Sequence, residues 1–311
     1  MCASGTPFAT SPSIMKKLFA LGFAVMLATG CAASTDSSDD PSADMEGEAQ
    51  DEVIAASEPL AMPKPILTFL RTQDWGSHHL EWHTVRQWDR LGAEDQAWAK
   101  RQGWARADIM EGKKGNGLEF LAMHRVMIRT LTAKFPKNAA LFNGWEKPPV
   151  DNADKADPAT DSAEFDAKKA EAIDKLQNHI ADFKSDEELG LYIETTLRPT
   201  SADPNARATD RSTGLHNYLH YRFQDGRSKI NIGDPSVNLQ NKRFWRLHGW
   251  IESRWTEFRK IKNLSEQDPK YLDAIKKGED MLAPKLKAPG TTKGLPDPAP
   301  ESLRTFFTKD L

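Results

Sequence analysis

The placement of histidine constrains this chain more than any other feature. At about 100° per residue, a helix over 117–134 gathers Phe120, Leu121, His124, Met127, Ile128 and Leu131 into one stripe, with His124 near its centre. A helix over 213–223 puts His216 and His220, four residues apart, on one face with Leu219 and Phe223. A helix over 244–262 brings His248, Ile251, Trp255 and Phe258 into a narrow arc. Three helices therefore each aim imidazole at the core. A lone core histidine is usually satisfied by a hydrogen bond. Four on three inward faces would cost several kcal/mol without partners. One way to satisfy them together is a shared metal ion, and imidazole-only ligation suits copper, zinc or iron.

The rest of the chain supports a mainly α fold, a helical bundle around a His-lined site with long loops and few strands. Alternating β-branched runs are nearly absent, whereas 3.6-residue periodicity recurs. It predicts helices over 78–92, 94–104, 117–134, 162–184, 186–196, 213–223, 244–262 and 269–282. Breakers separate them at 112–117, 147–160, 199–204 and 226–235. The Pro- and Gly-rich segment from Pro284 to Pro300 begins a C-terminal tail, 284–311, expected to wrap the surface. Two cysteines in 311 residues can build neither a disulfide scaffold nor a Cys-rich zinc site. A net charge of −3 gives no reason to expect a nucleic-acid partner.

Residues 1–30 read as a secretory signal, with Met15 as the expected start and the stretch before it as an upstream mis-start. Lys16 and Lys17 open a basic region, and the apolar run Leu18 to Leu27 is too short to span a bilayer. It ends in Leu27-Ala28-Thr29-Gly30-Cys31. This resembles a bacterial lipobox, which implies that Cys31 is lipidated, becomes the first mature residue and anchors the chain in a membrane. Ala32 carries no inner-membrane retention Asp, which favours an outer-membrane address, facing the periplasm or the cell surface. Residues 31–63 form an expected disordered tether: 32–63 hold nine acidic residues and no Lys or Arg. The domain after it, 64–283 with its tail, keeps 36 acidic and 40 basic residues, a mild +4.

The text around the histidines sharpens the metal reading. Gly214-Leu215-His216-Asn217-Tyr218-Leu219-His220 is followed, 28 residues after His220, by His248 within Phe244-Trp245-Arg246-Leu247-His248-Gly249-Trp250-Ile251-Glu252. This resembles the copper-B half of the tyrosinase family, which includes catechol oxidases and haemocyanins. Upstream, Phe120-Leu121-Ala122-Met123-His124-Arg125 resembles the end of the copper-A half. The resemblance implies His216, His220 and His248 as one copper ligand set and His124 as the last ligand of the other. Where the family commonly has another copper-A His, nine residues before the His-Arg pair, this chain has Gly115. The missing donors are expected from His83 and one of His78 or His79; His79 and His83 are four apart and share a face. The opposing reading is a solvated helix start, with His124 bonded only to a backbone carbonyl. The family's Asp-Pro is displaced to Asp234-Pro235, and Asn241 stands where its Asp would align.

The resemblance implies two coppers, with one possible, that activate dioxygen to oxidise a small phenol, a catechol or a tyrosine side chain. Asn217 matches the Asn that helps deprotonate the phenol, against a plain surface or capping role. Its usual Glu partner is not evident, since 199–213 hold Asp203 and Asp210 but no Glu. Glu252 and Arg254 either orient His248 or form a solvated salt bridge. His179 reads as surface, and Trp245, Trp250 and Trp255 as packing more than substrate stacking. The alternatives to an oxidase are a non-catalytic or mononuclear copper relative that keeps only the copper-B triad, a zinc hydrolase, and a tethered interaction domain without metal. A zinc hydrolase fits worst, because no His-Glu-x-x-His places a general base. Cys31→Ser is expected to release the protein from membranes or block its processing; unchanged membrane partition, with no acyl label on the wild type, would remove the lipoprotein reading.

Overall fold

The computed structural model describes residues 60–148, 167–194, 215–222, 228–284 and 298–308, all within one compact unit, 44–311. Cys31, the lipobox and most of the tether lie outside the described residues, as does Phe223. Among the described residues the fold is mainly α, with a single isolated β-bridge between Ala61 and Asn241. No described helix is long and apolar enough to cross a membrane.

The helices are α1 (Lys64–Thr72), α2 (Trp75–Arg86), α3 (Ala93–Arg101), α4 (Asn116–Lys134), α5 (Ala167–Asn178), α6 (Asp186–Glu194), α7 (Leu215–Arg222), α8 (Lys242–Ile261), α9 (Pro269–Leu282) and α10 (Glu301–Thr308). Eight match the periodic segments. Two were not expected. α1 follows Pro63 and carries Pro65 in its first turn, where a missing N–H costs nothing. α10 emerges from the segment expected to be only a wrapping tail. Packing also begins earlier than residue 64: Ala61 and Met62 are buried, and Met62 N–H donates to Gln240 O (2.8 Å).

α4 is the central helix. Its sequence suggests one apolar stripe, but it is enclosed by α9, α6 and α8, so Glu119 and Arg125 are buried along with the stripe. Arg125 is the reason this is tolerable. Its Nε donates to both carboxylate oxygens of Glu252 (2.8 Å each), Nη2 to Thr256 Oγ1 (2.9 Å) and Nη1 to Tyr271 Oη (3.2 Å). The guanidinium carbon lies 3.6 Å from the centre of the Trp255 ring. One side chain thus ties α4 to both α8 and α9.

Local signals set the helix ends. Asn241 Oδ1 caps α8 by accepting from Arg243 N–H (2.9 Å), and Asp268 caps α9 ahead of Pro269. α4 is capped from a distance. Glu187, in the first turn of α6, accepts from Gly115 N–H (2.7 Å) and Leu118 N–H (3.0 Å), placing a carboxylate at the positive end of the helix dipole.

That contact depends on a close helix crossing. A Cβ on Gly190 of α6 would lie 2.0 Å from Gly117 O of α4, and one on Gly117 would lie 2.3 Å from Glu187 O. Neither backbone can retreat without losing the cap. Gly190→Ala is therefore expected to cost about 1–3 kcal/mol. Calorimetry should show the thermal midpoint lowered by about 2–12 °C, at about 2–4 °C per kcal/mol for a domain of this size; an unchanged midpoint would mean the crossing is looser than described.

Candidate metal centre

Six imidazoles converge from four helices: His79 and His83 from α2, His124 from α4, His216 and His220 from α7, and His248 from α8. All are buried, which excludes the solvated helix start for His79 and His83. His78 is buried too, but belongs to neither triad below. His124 and His248 stack at 4.2 Å between ring centres, and His83 stacks on His216 at 5.8 Å.

The aim of the rings is fixed by backbone carbonyls. His124 Nδ1–H donates to Phe120 O (2.9 Å) and His248 Nδ1–H to Phe244 O (2.8 Å), each one turn back on its own helix. His79 Nδ1–H donates to Pro235 O (3.0 Å) and His220 Nδ1–H to Ile232 O (2.6 Å), both in the loop before α8. A carbonyl can only accept, so in all four rings Nδ1 carries the proton and Nε2 presents a lone pair.

Those lone pairs meet. His216 Nε2 lies 2.9 Å from His220 Nε2 and 3.0 Å from His248 Nε2. A hydrogen on His216 Nε2 can point at only one of them, so it serves one well and the other poorly. His83 Nε2 lies 3.2 Å from His79 Nε2. His124 Nε2 is buried with no hydrogen-bond partner, although such an orphan costs about 1–3 kcal/mol. Nitrogens held about 2.0–2.1 Å from one metal are about 2.9 Å apart at a right angle and about 3.3 Å apart at the tetrahedral angle. The spacings of 2.9–3.2 Å suit donors that share one cation as well as they suit hydrogen bonds between rings.

Two triads are placed to hold a metal ion: His79, His83 and His124, and His124, His216 and His248, the donor nitrogens of each lying within 4.8 Å of one another. His124 thus stands between the two groups, and His220 joins the second through its contact with His216. Burial lowers the pKa of His79 to about 4, and it holds His124, His216 and His248 well below the ordinary imidazole value, with neighbouring rings adding to the effect. The rings are neutral at pH 7, the form a metal requires.

The loop expected only as a breaker with a displaced Asp-Pro is the orienting frame of the centre. Asp234 accepts from Ser236 N–H (2.9 Å) and Oγ–H (2.6 Å), shaping the turn that offers Pro235 O to His79. Asn241 Nδ2 donates to Ile230 O (3.1 Å), tying the start of α8 to the same loop.

Glu252 and Arg254 do not orient His248. Glu252 pairs with Arg125, and Arg254 with Glu257 (2.7 Å); burial raises the Glu252 pKa against the pull of Arg125. His179 is exposed beside Asp174 (3.9 Å). Trp245, Trp250 and Trp255 are fully buried, and their Nε1–H groups donate to Leu239 O, Gln177 Oε1 and Asp186 Oδ1, which is packing rather than substrate stacking.

A small cavity of about 20 Å³ opens beside the rings, lined by His83, His216, His220, Asn217, Glu194 and Phe307 among others. Asn217 is therefore neither a plain surface residue nor a cap. Glu194, at the end of α6, is buried and lines the same cavity as Asn217, outside the 199–213 stretch in which an acidic partner is expected. Its place at the end of the apolar run Leu189 to Ile193 is the one local mark it carries in sequence.

For a base whose pKa is lowered by folding, stability is complete above the unfolded value of 6.5 and drains as pH falls toward the folded value. His79, at about 4, alone accounts for about 3 kcal/mol over that interval. Urea melts of the metal-free protein are expected to be flat above pH 6.5 and to weaken steeply below it; a flat profile down to pH 4 would refute neutral buried rings.

No protein-family model matches the chain, and no curated protein does either.

Proposed function

We propose that the chain is a tyrosinase-like copper oxidase, lipid-anchored outside the cytoplasm through Cys31, that oxidises a phenol or catechol group with dioxygen. The observation that carries this is the convergence of imidazole Nε2 lone pairs from four helices, with His124 Nε2 buried and unpartnered. His79, His83 and His124 would hold one copper, and His216, His220 and His248 the other. Neutral nitrogen donors suit both oxidation states of copper, which supplies the redox chemistry between substrate and dioxygen.

The protein's own residues do the rest. Pro235 O, Ile232 O, Phe120 O and Phe244 O keep four of the rings aimed, so that their Nε2 atoms would be the ones to hold the metal. Glu194 and Asn217, facing the same cavity, would take the hydroxyl proton of an incoming phenol, the carboxylate accepting it and the amide positioning the exchange. Arg125 fixes the helices that carry His124 and His248 relative to each other.

One observation favours the second reading, a mononuclear or non-catalytic copper protein. A cavity of about 20 Å³ holds a single water and not an aromatic ring.

Metal analysis of the purified soluble domain separates the two. Two coppers per chain, oxygen uptake with catechol, and loss of uptake with about one copper retained in His124→Ala are the expected results. A wild type with one metal and no uptake would establish the second reading, and a zinc-only protein would overturn both.

A further inference from the structure

Among the described residues, the large apolar side chains left exposed are Ile261 (49%), Leu264 (38%) and Leu272 (45%). Single exposed apolar residues are ordinary, but these three share the turn that joins α8 to α9. From 261 to 272 every residue except Tyr271 is exposed, and Lys260, Lys262 and Lys270 are set among the apolar ones. Lys262 closes α8, and Asn263 takes the left-handed backbone (φ 51°) that turns the chain. Beside this turn lies a pocket of about 250 Å³, lined by Arg125, Arg259, Lys260, Asn263, Leu264 and Glu266 among others. Its cations are not used up. Arg259 is buried; it donates through Nη1 to Asp186 and through Nη2 to Ser265 O (2.7 Å), and its Nε has no acceptor. Lys260 has no acidic partner among the described residues. The acid in the lining, Glu266, is held by Arg129 (2.8 Å).

We propose that this turn is a membrane-contact surface, and that the pocket beside it takes the phosphate of an anionic phospholipid. A guanidinium presents five N–H groups in a planar fork that suits phosphate oxygens. Arg259 spends two of them on protein acceptors, which leaves the others for an oxyanion next to the Lys260 ammonium and the Asn263 amide. Arg125 adds its charge from a fixed position, because Glu252, Thr256 and Tyr271 hold it. The apolar side chains answer to the other half of a lipid. Leu264 lines the pocket and Ile261 follows Lys260 directly, so a phosphate seated there brings the first acyl carbons to them. The lysine stems can lie along that apolar layer with their ammonium groups among the headgroups. A soluble anion would use the same donors but gives no role to Ile261 or Leu272. A lipid on Cys31 would hold the chain near a bilayer without deciding which face meets it; this surface decides the face.

The test uses the full chain with Cys31→Ser, so that no covalent lipid contributes. This parent is compared with two double variants made in it at exposed positions, Lys260→Gln with Lys262→Gln and Ile261→Ser with Leu264→Ser. Whatever the apolar run before Cys31 contributes is common to all three proteins. Sedimentation measures their affinity for vesicles of phosphatidylcholine and for vesicles of equal parts phosphatidylcholine and phosphatidylglycerol. One lysine close to an anionic surface contributes about fivefold. The parent is expected to prefer the phosphatidylglycerol vesicles at least tenfold. On those vesicles the lysine pair is expected to lose at least tenfold in affinity and the apolar pair at least fivefold, and added salt to erode the lysine contribution. Equal affinity of all three proteins for the phosphatidylglycerol vesicles would overturn the proposal. A loss confined to the lysine pair would overturn the entry of Ile261 and Leu264 into the bilayer. Inorganic phosphate bound by the parent in phosphorus NMR and not by the lysine pair, without any preference between the vesicles, would make the pocket a free-anion site and overturn the membrane surface. Thermal melts establish that each protein is folded.

Discussion

An imidazole that has given its one proton to a backbone carbonyl presents only a lone pair on its other side, and four such rings are buried together here. Hydrogen bonding among these four cannot resolve this, because each has spent its one ring proton; only His83 and His216, whose Nε2 atoms approach them, have a proton to share. Protonation would supply donors, but burial disfavours the charged ring, and each neighbour that becomes charged disfavours the next. A metal ion accepts several lone pairs at once, and the two triads are placed to hold one. The central helix, the long-range cap by Glu187 and the network around Arg125 hold the rings in place against their mutual repulsion.

The same logic explains which residues surround the centre. A buried guanidinium is tolerable only with its donors used, and Arg125 uses them on α8 and α9, the helices that flank α4. Glu252 lies four residues after His248, so helical spacing alone places the two on one face. The fold decides otherwise, because α4 brings a cation to that carboxylate. The three tryptophans of α8, which the sequence reads as packing more than substrate stacking, are in the fold fully buried struts with bonded N–H groups.

Much of the fold was legible because amphipathic periodicity is a local property. Eight helices and four of the six convergent histidines follow from it directly, and His79 and His83 follow from their spacing of four. What was not legible depends on contacts distant in sequence. Glu194 precedes His216 by a stretch that no local pattern bridges, so its place in the cavity appears only once α6 crosses α4 at the paired glycines. α10 is short and preceded by Pro- and Gly-rich sequence, and its apolar face has meaning only beside the cluster it completes. The Asp-Pro turn reads as a displaced motif until Pro235 O and Ile232 O are seen to meet two rings.

The way the rings are aimed has one more consequence. In each proposed ligand set one ring is fixed by its own helix, His124 in one and His248 in the other, and one is fixed by the loop before α8, His79 and His220 respectively. The loop therefore touches both sets at once, three residues apart in its own sequence. A displacement of this one loop would re-aim His79 and His220 together, so the geometry of the two sets is coupled through a single turn of backbone rather than through the helices that carry the rings.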